Sequence, residues 1–308
     1  MKTQNKPVSI IIPAFNEEFS LSGVLENIST VLSDNRINGE IIVVDDGSND
    51  NTATKAESSG VKVVRHEKNL GYGAALKSGI KVAHNDLIII IDADGTYPES
   101  DIPIILKELD NADMVIGSRT KARTNIPAVR RPAKWILKVL AQLITGKKIP
   151  DLNSGMRGFH RELAFQYLNI LPDKFSFTTT ITVAMLSDNY KVKFIPIDYH
   201  KRVGKSKIVP WDFFSFALLI IRLSMYFNPL RIFAPISIFF FSLGFIKSIS
   251  DLFFALNKYG FSFLTVFSHP VISITSMLLF ITGLQILLVG MVADGIIRRI
   301  NNRNHVRK

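Results

Sequence analysis

Leu87-Ile88-Ile89-Ile90-Ile91-Asp92-Ala93-Asp94 is the stretch on which the reading of this chain turns. Five large apolar residues in succession, four of them β-branched, suit a strand covered on both faces, as in a parallel sheet. The two carboxylates fall where such a strand leaves the sheet. The same pattern occurs twice upstream: Val8 to Ile12 is an apolar run ended by Pro13 and followed by Ala14-Phe15-Asn16-Glu17-Glu18, and Glu40 to Val44 runs into Asp45-Asp46-Gly47-Ser48. Helical spacing at Leu21, Val24, Leu25, Ile28 and Leu32 joins the first run to the second, which makes a βαβ unit. Val61 to Arg65 and Met114 to Gly117 read as further strands and Ala74 to Ala83 as a helix. The alternation predicts an α/β fold, an open, Rossmann-like and mostly parallel sheet.

Ligands of such sheets bind beyond the carboxyl ends of the strands. Two carboxylates two residues apart at such an end can hold a divalent cation, and hard oxygen donors suit Mg²⁺ or Mn²⁺ bridging a diphosphate. Taken alone, Asp92 and Asp94 are better explained as a solvated turn. Their company favours the site: Asn16 and Glu17 end the first strand, Asp45 and Asp46 the second, and Asn69-Leu70-Gly71-Tyr72-Gly73 precedes a helix whose N-terminus can face phosphate. An acidic side chain there can accept hydrogen bonds from a ribose or a base.

Of the 308 residues, 47% are hydrophobic, and they crowd the sequence after Trp211. The predicted organisation is a catalytic domain over 1–210, a juxtamembrane amphipathic helix over 211–228, and a two-span hairpin over 229–308, with spans at about 230–256 and 271–297. Each span is long enough to cross roughly 30 Å of hydrocarbon at 1.5 Å per residue. The connection from Asn257 to Pro270 holds only Lys258 and His269 as basic residues, whereas Arg298, Arg299, Arg303, Arg307 and Lys308 follow the second span. The positive-inside bias then places both termini and the catalytic domain in the cytoplasm. The polar stretch Met1 to Pro7 lacks the apolar core of a secretory signal. A helix over about 130–145, entered through Arg130, Arg131 and Lys134 and carrying Trp135, Ile136, Val139 and Leu143, is either an ordinary surface helix or one lying among lipid headgroups.

The net charge of +11 fits an anionic membrane or a phosphorylated substrate, and no nucleic-acid recognition motif accompanies it. The absence of cysteine excludes a disulfide framework, a thiolate nucleophile and a Cys-ligated zinc.

Pro13-Ala14-Phe15-Asn16-Glu17, Val44-Asp45-Asp46-Gly47-Ser48 with Thr52, Asn69-x-Gly71-x-Gly73 and Asp92-x-Asp94 resemble, in order, the motifs of family-two inverting glycosyltransferases of the GT-A fold. Asp151-Leu152-Asn153-Ser154-Gly155-Met156-Arg157-Gly158-Phe159, then Arg202 with Gly204 to Lys207, then two spans, is similar to the dolichyl-phosphate mannose synthase and polyprenyl-phosphate hexosyltransferase branch. The resemblance implies transfer of a hexose, with inversion, from a nucleotide-sugar of GDP-mannose or UDP-glucose type to a polyprenyl or dolichyl phosphate. It implies a nucleotide-sugar site at Pro13, Phe15, Glu17, Asp45, Asp46, Asn69, Gly71, Asp92, Ala93 and Arg119. It implies Mg²⁺ or Mn²⁺ at Asp92 and Asp94, with Asp94 and Arg202 as catalytic residues. Arg130, Arg131, Ser154, Arg202 and Lys207 are the candidates for acceptor phosphate. Some relatives carry Gln where this chain has Thr96, which is therefore expected at the metal only through its hydroxyl or through water. The partners implied are donor, polyprenyl phosphate and membrane lipid; self-association through the spans is left open.

Two rivals are weighed against this. A processive polysaccharide synthase typically needs a channel and a Q-x-x-R-W motif, neither of which is seen here. A binding or scaffold protein that kept the fold and lost catalysis has no evident use for Asp45, Asp92, Asp94 and Arg202.

Overall fold

The computed structural model describes residues 6–121, 131–174, 176–200, 218, 222, 225–259 and 271–306. Seven strands form one sheet in the order β3-β2-β1-β4-β6-β5-β7. They are β1 (Val8–Ala14), β2 (Gly39–Asp45), β3 (Lys62–Arg65), β4 (Leu87–Ile90), β5 (Met114–Ser118), β6 (Arg157–His160) and β7 (Val192–Pro196). β1 runs parallel to β2 and β4, β2 to β3, and β5 to β7. The five strands expected from apolar runs are present. β1 and β4 are buried along their whole length, as residues covered on both faces must be.

Sequence reading did not find β6, which lies antiparallel between β4 and β5. Its residues, Arg-Gly-Phe-His, carry no apolar run, because the strand is filled by one fully buried arginine and by a glycine packed against Ile105 and Leu109. The insertion sets Arg157 in register with Ile90, two residues before Asp92.

Helices α1 (Leu21–Asp34), α2 (Thr52–Ser58), α3 (Tyr72–Val82) and α4 (Ile102–Glu108) alternate with the first five strands. α1 buries Leu21, Val24, Leu25, Ile28 and Leu32, the stripe its spacing predicts. α5 (Arg131–Thr145), α6 (Arg161–Tyr167) and α7 (Phe177–Ser187) follow. α7 is buried from Phe177 to Leu186 although it contains four threonines; Thr180 and Thr182 return their hydroxyls to the carbonyls of Ser176 and Thr178. α5 buries Leu137, Ala141 and Ile144 and leaves Trp135 and Leu143 65% and 54% exposed, so it is apolar on an outward face as well.

The chain divides into two units, Met1–Ile220 and Ile221–Lys308. The second consists mainly of α8 (Leu230–Tyr259) and α9 (Ile274–Val306). Both contain stretches long and apolar enough to cross a membrane, Leu230–Lys258 and Ile274–Ile297, and only 11% and 17% of their most apolar windows are buried. A core helix of a water-soluble protein shows the reverse. Where the two helices meet, Ser237 Oγ donates to the Gly283 carbonyl at 2.7 Å and Ser276 Oγ to Asp251 Oδ2 at 2.6 Å; Asp251 also pairs with Lys247 one turn away. Of the expected juxtamembrane helix over 211–228, residues 218, 222 and 225–227 are helical and 228 is described, and the rest lies outside the described residues.

Candidate active site

The carboxyl ends of β1, β2 and β4 enclose a cavity of about 290 Å³. Pro13, Ala14, Phe15 and Glu17 line it from the end of β1, Asp46 from β2, Asn69, Gly71, Tyr72 and Ala75 from the loop into α3, and Asp92, Ala93 and Asp94 from the end of β4. Eight of the residues expected around a nucleotide-sugar, Ala93 among them, are thus brought to one place by the parallel order of three strands. The first two loops are stitched together: Asn16 N–H donates to Ser48 Oγ, Asn49 N–H to Asn16 Oδ1, and Glu17 N–H to Thr52 Oγ1, each at 2.9 Å. These bonds explain why Asn16, Ser48 and Thr52 recur around the acidic positions.

Asp45 and Asp46, adjacent in sequence, part company in space. Asp46 accepts the N–H groups of Leu70 and Gly71 at 2.9 and 2.8 Å, and His66 Nδ1 lies 2.7 Å from it. Asp45 is buried outside the cavity's lining, where Ser48 N–H reaches its Oδ1 at 3.3 Å. The helix N-terminus expected to face phosphate is otherwise engaged: Ala74 N–H donates to the Asp173 carbonyl at 2.9 Å. Gly71, at φ 110°, lets that strand of chain approach, since a Cβ there would lie 2.5 Å from the Asp173 oxygen. The glycines of this loop therefore serve close packing and the hold of Asp46.

Asp92 and Asp94 are oriented by different neighbours. Tyr72 donates its hydroxyl to Asp92 Oδ1 at 2.8 Å. Burial first, and then the charge of Asp92, push the Tyr72 phenol well above its ordinary value, so it stays a donor. Thr96 donates both its hydroxyl and its N–H to Asp94 Oδ1, at 2.6 and 3.2 Å. Thr96 is fully buried and outside the cavity's lining, which gives it the place of a residue that orients Asp94. No group of three or more His, Asp or Glu side chains among the described residues converges to hold a metal.

Arg119 also lies outside the cavity's lining. Its Nε and Nη2 reach the two oxygens of Asp151 at 2.7 and 2.8 Å, and its guanidinium lies 5.3 Å from the ring centre of Tyr199. Ser154, expected at acceptor phosphate, is fully buried beneath the site and likewise lines no part of the cavity. Arg130, Arg202 and Lys207 lie outside the described residues, and Arg131 opens α5. Tyr72 and Arg157 received no role from sequence reasoning; both stand inside quoted motifs, but only the packing of β6 and α3 shows what their side chains meet.

The chain belongs to glycosyl transferase family 2, which it matches over residues 9–168. Residues 228–298 match a second family, the GtrB C-terminal hairpin. Among curated relatives, an uncharacterized protein of Methanocaldococcus jannaschii is 33% identical over 214 residues, 64% of this chain and 86% of that one. A dolichyl-phosphate hexose transferase of Haloferax volcanii is 30% identical over 206 residues, 66% of this chain and 87% of that one. An undecaprenyl-phosphate 4-deoxy-4-formamido-L-arabinose transferase of Serratia proteamaculans is 33% identical over 170 residues, 53% of this chain and 52% of that one. The fold resembles glucosyl-3-phosphoglycerate synthase of Mycobacterium tuberculosis, solved with Mn²⁺, UDP-glucose and phosphoglyceric acid, with a TM-score of 0.57 at 21% identity over 71% of this chain and 80% of that one.

Proposed function

We propose that this protein is a membrane-anchored, metal-dependent inverting glycosyltransferase that moves a hexose from a nucleotide-sugar, of GDP-mannose or UDP-glucose type, onto a polyprenyl or dolichyl phosphate. The observation that carries the reading is the gathering of carboxylates in one cavity: Glu17, Asp46, Asp92 and Asp94 line it from the ends of three strands. An anionic diphosphate enters such a cavity in company with a cation, and carboxylate donors fit Mg²⁺ or Mn²⁺. Asp92 and Asp94 are the residues that would hold that ion. When bound, the metal neutralises charge on the departing diphosphate.

The chain's own groups do the rest. Thr96 and Tyr72 fix the two carboxylates, and Asp46 holds Leu70 and Gly71 so that the loop flanks the nucleoside. A phosphate monoester is already ionised at neutral pH, so the acceptor needs little general-base help. Its oxygen attacks the anomeric carbon in line, the new sugar–phosphate bond forms as the bond to the diphosphate breaks, and nucleoside diphosphate leaves.

The acceptor is read from three features. The relatives from Haloferax volcanii and Serratia proteamaculans are named for dolichyl and undecaprenyl phosphate. α5 turns Trp135, Ile136, Val139 and Leu143 outward, as a helix seated among headgroups would. α8 and α9 are suited to be anchors, and the arginines after the second span favour both termini on the cytoplasmic side. Arg130, Arg131 and Lys207 are assigned to acceptor phosphate, and Arg202 to the phosphates at the reacting centre.

The test is the full chain in lipid nanodiscs with a panel of radiolabelled nucleotide-sugars and either undecaprenyl or dolichyl phosphate. Label should move into an acid-labile, solvent-extractable lipid with one nucleoside diphosphate released per transfer, and EDTA should stop it. Label appearing only in water-soluble glycan, or transfer indifferent to EDTA, would overturn the reading.

A further inference from the structure

The segment Asn153 to Arg157 has no part in the reaction as derived, yet it lies directly against Asp92. An ideal Cβ on Gly155 would fall 2.2 Å from Asp92 Oδ2 and 2.6 Å from its Cγ, so only glycine permits the approach. Gly155 N–H donates to the Tyr97 hydroxyl at 2.7 Å, which fixes the segment from the other side. Two residues on, Arg157 is 0% exposed.

Among the described residues the hydrogen-bond partners of Arg157 are all neutral. Nη1 donates to the Thr178 carbonyl and to Thr182 Oγ1, each at 3.0 Å, Nη2 donates to the Ser154 carbonyl, and Nε has no hydrogen-bond partner among the described residues. Burial lowers its pKa to about 10, so the guanidinium remains a cation at neutral pH. The groups whose charge it feels include Tyr72, Tyr97, Asp151 and Asp92. Asp151 is already closed in a two-point pair with Arg119. A buried charge with no ion pair of its own is costly, and such a cost is retained where the charge has a use.

We infer that Arg157 is a positioning residue whose fixed charge makes cation binding at Asp92 and Asp94 conditional on the diphosphate. The inference rests on the proposed nucleotide-sugar site. A positive charge held to the Ser154 carbonyl, next to the glycine that packs on Asp92, weakens that carboxylate's hold on a bare divalent ion, while it attracts the diphosphate that arrives with one. The site then takes its metal and its donor as one neutralised unit and resists filling with metal alone. Like charge near the ion and opposite charge near the phosphate act with opposite signs, and this separates a charge role from a packing role.

The experiment measures Mn²⁺ binding to the full-length protein by electron paramagnetic resonance, with and without UDP or GDP, for wild type, Arg157→Met and Arg157→Lys, with melting temperature as a check of folding. Arg157→Met should bind Mn²⁺ alone more tightly by about tenfold and bind the nucleotide with Mn²⁺ more weakly by a similar factor. Arg157→Lys, which keeps the charge, should stay near wild type in both. Loss of both affinities together in either variant would overturn the inference, because damage to packing moves both the same way, and so would no change in either affinity in a folded Arg157→Met. If the Met variant does not fold, the Lys variant decides alone: near-wild-type binding supports a charge role and joint loss refutes it. Wild type that binds neither nucleotide with Mn²⁺ would instead sink the proposed site itself.

Discussion

His66 holds Asp46: its Nδ1 lies 2.7 Å from the carboxylate Oδ1, while its Nε2 lies 2.9 Å from Ser78 Oγ. With the proton on Nδ1 the imidazole donates to Asp46 and accepts from the serine hydroxyl, so a neutral ring satisfies both partners. The same carboxylate accepts the N–H groups of Leu70 and Gly71. One side chain at the end of β2 thereby joins the end of β3 to the start of α3. Asp46 and Gly71 line the cavity and His66 does not, so the histidine acts through the loop it secures.

His66→Ala should therefore weaken nucleotide binding by about tenfold, since a hydrogen bond to a charged group contributes about 1.5–3 kcal/mol. The apparent KM for polyprenyl phosphate should stay nearly unchanged, and His66→Asn, which keeps a donor, should recover much of the loss. Calorimetry with UDP and GDP, beside acceptor-titration kinetics, checks this. Unaltered nucleotide affinity in His66→Ala would show that the loop is held without it.

Asp94→Ala should reduce turnover by about 10²-fold or more, in line with loss of a principal electrostatic stabiliser. Thr96→Val removes the hydroxyl that reaches Asp94 Oδ1 at 2.6 Å and leaves the carboxylate in place. It should raise the Mn²⁺ concentration needed for half-maximal rate several-fold, with kcat at saturating metal closer to wild type. Metal titrations of the initial rate separate the two; a Thr96→Val enzyme with unchanged metal requirement would show that the hydroxyl does not orient Asp94.

The Arg119–Asp151 pair predicts a pH-dependent term in stability. Burial alone would raise the Asp151 pKa, but hydrogen bonds from Arg119 and its charge overcome that and hold it below the ordinary carboxylate value. A carboxylate with a lowered folded-state pKa contributes stability above its unfolded value, about 3.9, and loses it as pH falls through the folded value. Asp151→Asn leaves the buried Arg119 without its counter-charge and should cost about 3–5 kcal/mol at pH 7. Melting of wild type and variant across the acid range should begin to converge only below about pH 4 and meet below the folded-state pKa of Asp151; a constant difference would mean that the ionised pair is not its source.

Trp135 and Leu143, exposed on α5, should matter for lipid and not for nucleotide. Trp135→Glu together with Leu143→Glu should slow transfer to long-chain polyprenyl phosphate in bilayers several-fold, while transfer to a short, water-soluble prenyl phosphate stays near wild type. Equal slowing on both acceptors would remove α5 from the membrane surface.

Periodicity and strand-end chemistry made much of this protein legible without coordinates. Apolar runs such as Leu87 to Ile91 are buried on both faces whatever their neighbours, and carboxylates directly behind them must emerge at one sheet edge, so β1 to β5 and the acidic residues around the cavity could be read in advance. The two long apolar stretches were legible for the same reason, since length and composition are what mark a helix as able to cross a membrane. What a side chain does once it arrives depends on atoms distant in sequence. Asp45 and Asp46 differ only in which way the strand end turns them, and Thr96 is turned toward Asp94, not toward the cavity. β6 has no apolar pattern to betray it, because its place between β4 and β5 is defended by a buried guanidinium bonded to Thr178 and Thr182 of α7. Local pattern records burial, which is a property of single residues; orientation and charge balance are properties of pairs, and only the tertiary structure brings those pairs together.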